Sequence, residues 1–293
     1  MKGRTAVDEP DPGRPAFGER LRTSMEHRGP LCVGIDPHPG LLARWGLSDD
    51  VAGLETFALT VVEAIGEQVA VLKPQAAFFE SYGSKGVAVL ERVIALSREA
   101  GALTVVDAKR GDIGSTMAAY ARAYAGADSP LAGDAVTVSP FLGFESLRPL
   151  LDLAAGTGRG VFVLALTSNP EGGQVQHART PDGRTVAQTI IDAAAAENAG
   201  AAVLGSVGVV VGATVSGLGR EHDLSRLNGP LLAPGIGAQG ATGADLRAVF
   251  GSALADVLPN SSREVLSGGP TVSGLRDAAS RALDAVSVAL APS

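Results

Sequence analysis

Several residue types are scarce in this chain of 293 residues. A single cysteine, Cys32, leaves no partner for an intramolecular disulfide, which excludes a disulfide-stapled secreted domain. Aromatic residues make up only 4%, and Trp45 and the pair Phe78-Phe79 indicate packing rather than a stacking platform for nucleic acid. No apolar run approaches the roughly 20 residues of a membrane span, and the polar, proline-containing N-terminus lacks the apolar stretch of a signal peptide. We therefore predict a soluble, cytoplasmic protein with no membrane partner.

Basic charge is also limited, and it is carried almost entirely by arginine. The 24 basic residues against 31 acidic ones give a net charge of −7 without a basic cluster, which argues against nucleic acid as a partner. The lysines are Lys2, Lys73, Lys85 and Lys109. Because lysine and arginine are not interchangeable, a lysine in so arginine-rich a chain is expected where an ammonium group is needed.

Short runs of Val, Ile and Leu alternate with longer stretches of helical spacing, which predicts β–α units. Apolar rather than alternating runs are typical of parallel strands that are covered on both faces. The sequence therefore predicts an α/β fold, a (β/α)8 TIM barrel, with strands at 31–36, 69–74, 103–108, 134–139, 160–166, 208–214, 230–236 and 255–261. Helices are predicted at 51–68, 85–101, 115–126, 145–156, 185–200 and 271–290.

The remaining segments complete this prediction of one catalytic domain over residues 14–293. Residues 14–29 are expected to form an extra N-terminal helix that closes the barrel floor, and residues 1–13 are expected to be disordered. The longest irregular piece, 168–184, follows the fifth strand. It is either an active-site lid or a plain surface insertion.

Barrel active sites lie at the carboxyl ends of the strands, so the polar residues there are the candidates for function. They are Asp36, Lys73, Asp107, Lys109, Ser139, Thr167, Ser168, Gln239 and Arg263. Two of the four lysines fall in this set.

The segment after the third strand, V-V-D-A-K-R-G-D-I-G-S-T, is the most informative. In it Asp107, Lys109 and Asp112 alternate in charge, and two carboxylates beside a lysine favour its charged form. Such a lysine suits proton donation or anion binding rather than a Schiff base. A solvated loop with surface ion pairs is the alternative. Lys73 and Asp36, at the ends of the neighbouring strands, make that alternative weaker.

In combination these motifs resemble the orotidine 5′-monophosphate decarboxylase family. The resemblance is carried by D-x-K-R-x-D-I-x-x-T at 107–116, D-P after strand one, K-P after strand two, P-G-I-G-A-Q-G at 234–240 and S-S-R at 261–263. It spans nearly the whole predicted barrel in order. The longer 168–184 segment resembles the longer bacterial branch of the family.

The resemblance implies a metal-free and cofactor-free conversion of orotidine monophosphate to uridine monophosphate and CO2 in pyrimidine synthesis. It implies that Lys109 protonates C6 of the pyrimidine and that Asp107 lies against the departing carboxylate. Asp36 and Lys73 would hold ribose hydroxyls. A homodimer with shared sites is also implied, in which Asp112, Ile113 and Thr116 reach the neighbouring subunit's site.

Other positions are implied to bind the two ends of the nucleotide. Ser168 would bond the pyrimidine edge, with Thr167 as its rival. Gln239 and Arg263 would bind the phosphate, helped by Gly237 and nearby backbone N–H groups. The phosphate assignment also has a basis in the fold, because the loops after strands seven and eight of such barrels frequently bind phosphate.

The chemistry explains why a lysine is needed. Loss of CO2 leaves an electron pair on an sp² carbon that the ring π-system cannot absorb. A fixed ammonium group can stabilise this charge electrostatically and then deliver its proton, which requires no metal or organic cofactor.

Two rival functions remain at this point. Phosphosugar enzymes of the same barrel, the 3-keto-gulonate-phosphate decarboxylases and hexulose-phosphate synthases, share a D-x-K-x-x-D core but use Mg²⁺. Arg110 and the Gln239 loop favour the pyrimidine nucleotide over them. A non-catalytic phosphate-binding barrel is the other rival, and the presence of both Lys73 and Lys109 argues against it. The four histidines are scattered and predict no metal site.

Overall fold

The strands of this chain close into a parallel barrel, which a computed structural model describes over residues 14–213, 222–235 and 243–291. Within these ranges eight strands pair in the order β1-β2-β3-β4-β5-β6-β7-β8, and β1 pairs again with β8. They are β1 Cys32–Ile35, β2 Val71–Pro74, β3 Leu103–Arg110, β4 Ala135–Val138, β5 Gly160–Leu166, β6 Val207–Val211, β7 Leu231–Pro234 and β8 Val257–Ser261. The predicted (β/α)8 barrel is confirmed.

Apolar content explains the strand positions. Every residue of β1, β2 and β4 is buried, as expected for parallel strands with helices outside and packed side chains inside the barrel. Strand β3 differs from its prediction, because it continues to Arg110, two residues past the predicted end. The two added residues are Lys109 and Arg110, and the extension places Lys109 at the rim of the barrel.

Helices separate most of the strands. The described residues contain α1 Phe17–Arg28, α2 Pro39–Arg44, α3 Val51–Ile65, α4 Ala76–Glu80, α5 Gly83–Glu99, α6 Gly114–Ala125, α7 Arg148–Gly156, α8 Gly173–Gln176, α9 Val186–Glu197, α10 Gly243–Phe250, α11 Arg263–Leu266 and α12 Val272–Leu290. Side-chain caps fix several starts: Asp50 accepts from the Gly53 amide at 2.8 Å, and Thr185 accepts from the Gln188 amide at 3.0 Å. In the described ranges, no helix is long and apolar enough to cross a membrane.

Helix α1 lies at the amino-terminal end of the barrel. Its Phe17 is fully buried and meets Phe162 of β5 edge to face, with ring centroids 5.9 Å apart. Arg20 and Arg14 both pair with the buried carboxylate of Asp134, immediately before β4. These contacts close the floor and leave the opposite end of the barrel open.

The segment after β5 is more ordered than the sequence predicts. Pro170–Gly172 form a 3-10 turn that leads into α8, and Arg179 bridges to Thr185 in antiparallel fashion. The Gln176 side chain clasps Thr167, accepting from its amide at 2.9 Å and donating to its hydroxyl at 2.6 Å. The predicted disordered tail, 1–13, lies outside the described residues.

Candidate active site

Asp107 is the centre of a charged cluster at the carboxyl ends of β2, β3 and β4. Its Oδ2 accepts from Lys73 Nζ at 3.0 Å, and its Oδ1 accepts from Lys109 Nζ at 2.7 Å. The Thr137 hydroxyl donates to the same Oδ1 at 2.7 Å. One carboxylate therefore fixes two ammonium groups that come from neighbouring strands.

Burial and neighbouring charges shift the pKa values of Asp107 and Lys73 in opposite directions. Burial alone would raise the pKa of Asp107, but Lys73 and Lys109 outweigh it and hold that pKa well below its usual range. Burial alone would likewise lower the pKa of Lys73, but Asp107 and Asp36 outweigh it and raise that pKa. Both groups of the buried pair are therefore charged at neutral pH.

The two lysines differ in access to solvent. The Lys73 side chain is 6% exposed, whereas that of Lys109 is 45% exposed. Lys73 is thus a fixed buried charge. Lys109 faces the open cavity, where it can meet a ligand and exchange protons with water.

Asp36 continues the cluster from the end of β1. Its Oδ1 is buried and has no hydrogen-bond partner among the described residues, so it can accept from a ligand hydroxyl. A Cβ on Gly34 would lie 2.0 Å from the Ser262 hydroxyl and 3.0 Å from Asp36 Oδ2, so the missing side chain lets these loops approach each other. Burial raises the pKa of Cys32 to about 12, which keeps its thiol protonated.

Two adjoining cavities of about 350 and 260 Å³ open above this cluster. Both are lined by Lys73, Asp107, Lys109, Pro234 and Asn260. The larger one also touches Asp36 and Arg263, and the smaller one also touches Thr167 and Ser168. Six predicted site residues therefore meet in one cleft: Asp36, Lys73, Asp107, Lys109, Ser168 and Arg263.

Three predicted site residues lie outside this cleft within the single chain. Asp112 is half-buried and accepts the Ile113 amide at 2.8 Å, while Ile113 and Thr116 are exposed. Ile113 is 61% exposed, which is unusual for so large an apolar side chain. The predicted phosphate ligands Gly237 and Gln239 lie outside the described residues.

Arg110 follows Lys109 but contributes to packing rather than to the cleft. Its guanidinium pairs with Glu80, donates to the Tyr124 hydroxyl at 3.2 Å and lies 5.6 Å from the centre of the Tyr120 ring. These contacts fix the end of β3 against α4 and α6. The arginine of the D-x-K-R motif therefore supports the lysine beside it.

Sequence reasoning missed several residues of the cleft. The cleft residues that were not assigned to the site are Gln75, Thr137, Asn260, Ser261 and Ser262, together with Phe78, whose ring lies 4.7 Å from that of His38. Gln75, Asn260 and Ser262 each occur at a predicted strand end, so position could have identified them. Thr137 lies inside an apolar strand and carries no comparable signal. Across the described parts of the chain, no group of three or more His, Cys, Asp or Glu side chains could hold a metal ion.

Fold and site together define a (β/α)8 barrel that holds a buried aspartate between two lysines at the carboxyl ends of its strands. The chain belongs to the orotidine 5′-phosphate decarboxylase / HUMPS family, whose model matches residues 29–276. It is 66% identical to the orotidine 5′-phosphate decarboxylase of Salinispora arenicola over 268 residues, which are 92% of this chain and 96% of that one.

Solved structures give the same relationship. A crystal structure from Streptomyces avermitilis, provisionally named as an orotidine 5′-phosphate decarboxylase, matches with a TM-score of 0.91 and 61% identity over 100% of both chains. The Leishmania donovani OMP decarboxylase matches with a TM-score of 0.75 and 32% identity, covering 94% of this chain and 99% of that one.

Proposed function

We propose that this enzyme decarboxylates orotidine 5′-monophosphate to uridine 5′-monophosphate, a step of pyrimidine synthesis. The observation that carries the proposal is the Lys73–Asp107–Lys109 array at the base of a cavity of about 350 Å³. The 66% identity to a curated orotidine 5′-phosphate decarboxylase supports the same substrate.

In the proposed mechanism the bond between C6 and the carboxyl carbon breaks, and CO2 leaves without the bonding pair. The pair remains on C6, where the Lys109 ammonium stabilises it and then donates a proton to it. Lys109 is left as a neutral amine, and its exposure lets solvent return the proton. Both lysines are bonded to Asp107, but Lys73 is the less suitable acid because its side chain is only 6% exposed and has little access to solvent protons.

Substrate contacts follow from the lining of the cleft. Asp36 and Lys73 would bind the ribose hydroxyls, and the free Oδ1 of Asp36 supports this role. Arg263, at the start of α11, would bind the phosphate together with Gln239 and Gly237. Ser168 is favoured over Thr167 for the pyrimidine edge, because the Thr167 hydroxyl is already bonded to Asn169 and Gln176.

The working unit proposed is a cytoplasmic homodimer. Ile113, Phe141 and Leu142 are 61%, 74% and 52% exposed in the loops after β3 and β4, and a second copy could cover them. These loops adjoin Asp112. A partner chain seated there would bring its own Asp112 and Thr116 towards this cleft, which would add a third carboxylate to Asp107 and Asp36.

A spectrophotometric assay of orotidine monophosphate loss tests the function. We expect stoichiometric uridine monophosphate and CO2, and we expect the rate to survive exhaustive chelation because lysine supplies the positive charge. A 3-keto-gulonate phosphate and a hexulose-phosphate synthase assay serve as parallel controls. Loss of activity on chelation with recovery on adding Mg²⁺, or turnover of the phosphosugars alone, would favour the rival branch.

A further inference from the structure

The β3–β4 ladder is interrupted beside the charged cluster. Val106 pairs with Val136, but the next pair is Arg110 with Val138. Three residues of β3 therefore lie opposite a single residue of β4, Thr137. Bulges of this kind re-aim a side chain and leave backbone groups without ladder partners.

The side chain of Thr137 supplies a hydrogen bond that the interrupted β3–β4 ladder lacks. The Lys109 amide donates to the Thr137 hydroxyl at 3.0 Å, in place of a ladder bond. Lys109 has a φ of +46°, a left-handed conformation that is uncommon outside glycine. The hydrogen bond from its amide thus holds a backbone conformation that lysine rarely adopts.

The direction of both hydrogen bonds of the hydroxyl is forced. An amide N–H can only donate, so the Thr137 oxygen accepts from Lys109, and its one proton is free for Asp107 Oδ1 at 2.7 Å. The same Oδ1 accepts from Lys109 Nζ. The hydroxyl of Thr137, a residue that is 1% exposed, therefore connects the Lys109 backbone to the carboxylate that binds the Lys109 side chain.

We propose that Thr137 is a positioning residue for decarboxylation, acting through Asp107 and Lys109. This inference rests on the proposed function. The hydroxyl sets the rotamer of the Asp107 carboxylate and the backbone from which Lys109 extends, and so it fixes the ammonium group where charge develops. Catalysis depends on such prealignment more steeply than binding does.

A matched control is available on the neighbouring strand. Thr104 of β3 is also 1% exposed, and its hydroxyl has no hydrogen-bond partner among the described residues. Replacing either threonine by valine removes a hydroxyl from a buried strand position at similar volume. Only the replacement at 137 breaks the two bonds of the cluster.

The experiment compares Thr137→Val, Thr137→Ala, Thr137→Ser and Thr104→Val with wild type. Each is assayed for kcat and KM with orotidine monophosphate, for the Kd of uridine monophosphate, and for folding by circular dichroism. Removing a hydrogen bond to a charged group should lower kcat about tenfold to hundredfold in the valine and alanine variants. The Kd of uridine monophosphate should change less than about threefold, since the proposed phosphate contact of Arg263 and ribose contact of Asp36 do not involve the Thr137 hydroxyl.

The activity of Thr137→Ser shows whether the Thr137 hydroxyl positions the catalytic groups or whether the side chain only fills space. Thr137→Ser keeps the hydroxyl and should stay within about threefold of the wild-type kcat, as should Thr104→Val. The proposal is overturned if hydroxyl-free variants keep wild-type kcat, if serine is as slow as valine, or if kcat and Kd worsen together. It is also overturned if both hydroxyl-free variants fail to fold, because the hydroxyl would then serve stability. An inactive wild type would instead refute the proposed function.

Discussion

Asp107 determines the electrostatics of the cleft because it is the acceptor that both lysines share. Its partners could be predicted from the sequence, since lysine is scarce in this chain and two of four lysines end adjacent strands. Thr137 could not be predicted, because in D-A-V-T-V-S it is an ordinary strand threonine. Its importance depends on the irregular pairing of β3 and β4, which is a property of the folded barrel.

Asp107→Asn should lower the free energy of unfolding by about 3 kcal/mol at pH 7, because it leaves the buried Lys73 ammonium without its nearest counter-charge. Urea unfolding measures the difference. Asp152→Asn is the control, since Asp152 is an exposed partner of Arg148 at 3.5 Å and should change stability by less than about 0.5 kcal/mol.

The difference in the free energy of unfolding between wild type and Asp107→Asn should also depend on pH in a defined way. The pKa of folded Asp107 lies below its usual value of 3.8, so the unfolded chain takes up the proton first as the pH falls. The stabilisation by ionised Asp107 is then complete above about pH 5 and declines below about pH 4. The difference between wild type and Asp107→Asn should therefore be constant from about pH 5 to 8 and shrink in acid. A difference that grows in acid would contradict the assigned charge state.

The order of the strands and of the main helices follows from the apolar periodicity of the sequence. The deviations have local causes: β3 runs on to Arg110 because Glu80 and two tyrosines fix its end. The segment after β5 gains short helical turns because Gln176 bonds to Thr167. Helix α10 was missed, since its short sequence G-A-D-L-R-A-V-F carries too few turns for a clear period.

The packing of α1 against the amino-terminal end of the barrel requires a glycine at the start of β5. A Cβ on Gly160 would lie 2.1 Å from the ring of Phe17, which is fully buried. Gly160→Ala should therefore lower the free energy of unfolding by about 1–3 kcal/mol through overpacking, with kcat nearly unchanged.

Gly156→Ala provides the comparison, because a Cβ at the end of α7 would meet nothing within 4 Å. Its stability should stay within about 1 kcal/mol of wild type. Equal stability of the two variants in urea titrations would show that the packing of Phe17 against β5 does not define the position of α1.

One barrel brings most of the predicted site residues of the described chain into a single cleft but leaves three of them outside it. Asp112 and Thr116 do not reach the cleft of their own chain, and the exposed Ile113, Phe141 and Leu142 lie in the loops beside them. The proposed dimer accounts for both observations. The sequence predicts that active sites are shared between subunits only through its family resemblance, because no pattern within one chain encodes a two-fold axis.

Reassembly of two inactive variants tests whether each active site is shared between two subunits. Lys109→Ala should lose nearly all turnover while it still binds uridine monophosphate, and Asp112→Ala should also be nearly inactive. When the two variants are mixed and their dimers dissociate and reassemble at random, about half of the dimers contain one subunit of each variant. Under two-fold symmetry, each such heterodimer has one site in which neither residue is substituted. The measurement is orotidine monophosphate turnover after mixing, with heterodimers verified by mass.

Roughly a quarter of wild-type activity should return, because about half of the dimers then carry one intact site of two. Each variant mixed with itself is the control and should recover nothing. If Asp112 served the cleft of its own chain, every site in the mixture would keep one lesion. No recovery in a sample that contains heterodimers would contradict the shared reaction centre, and substantial turnover by Lys109→Ala alone would contradict the assigned acid.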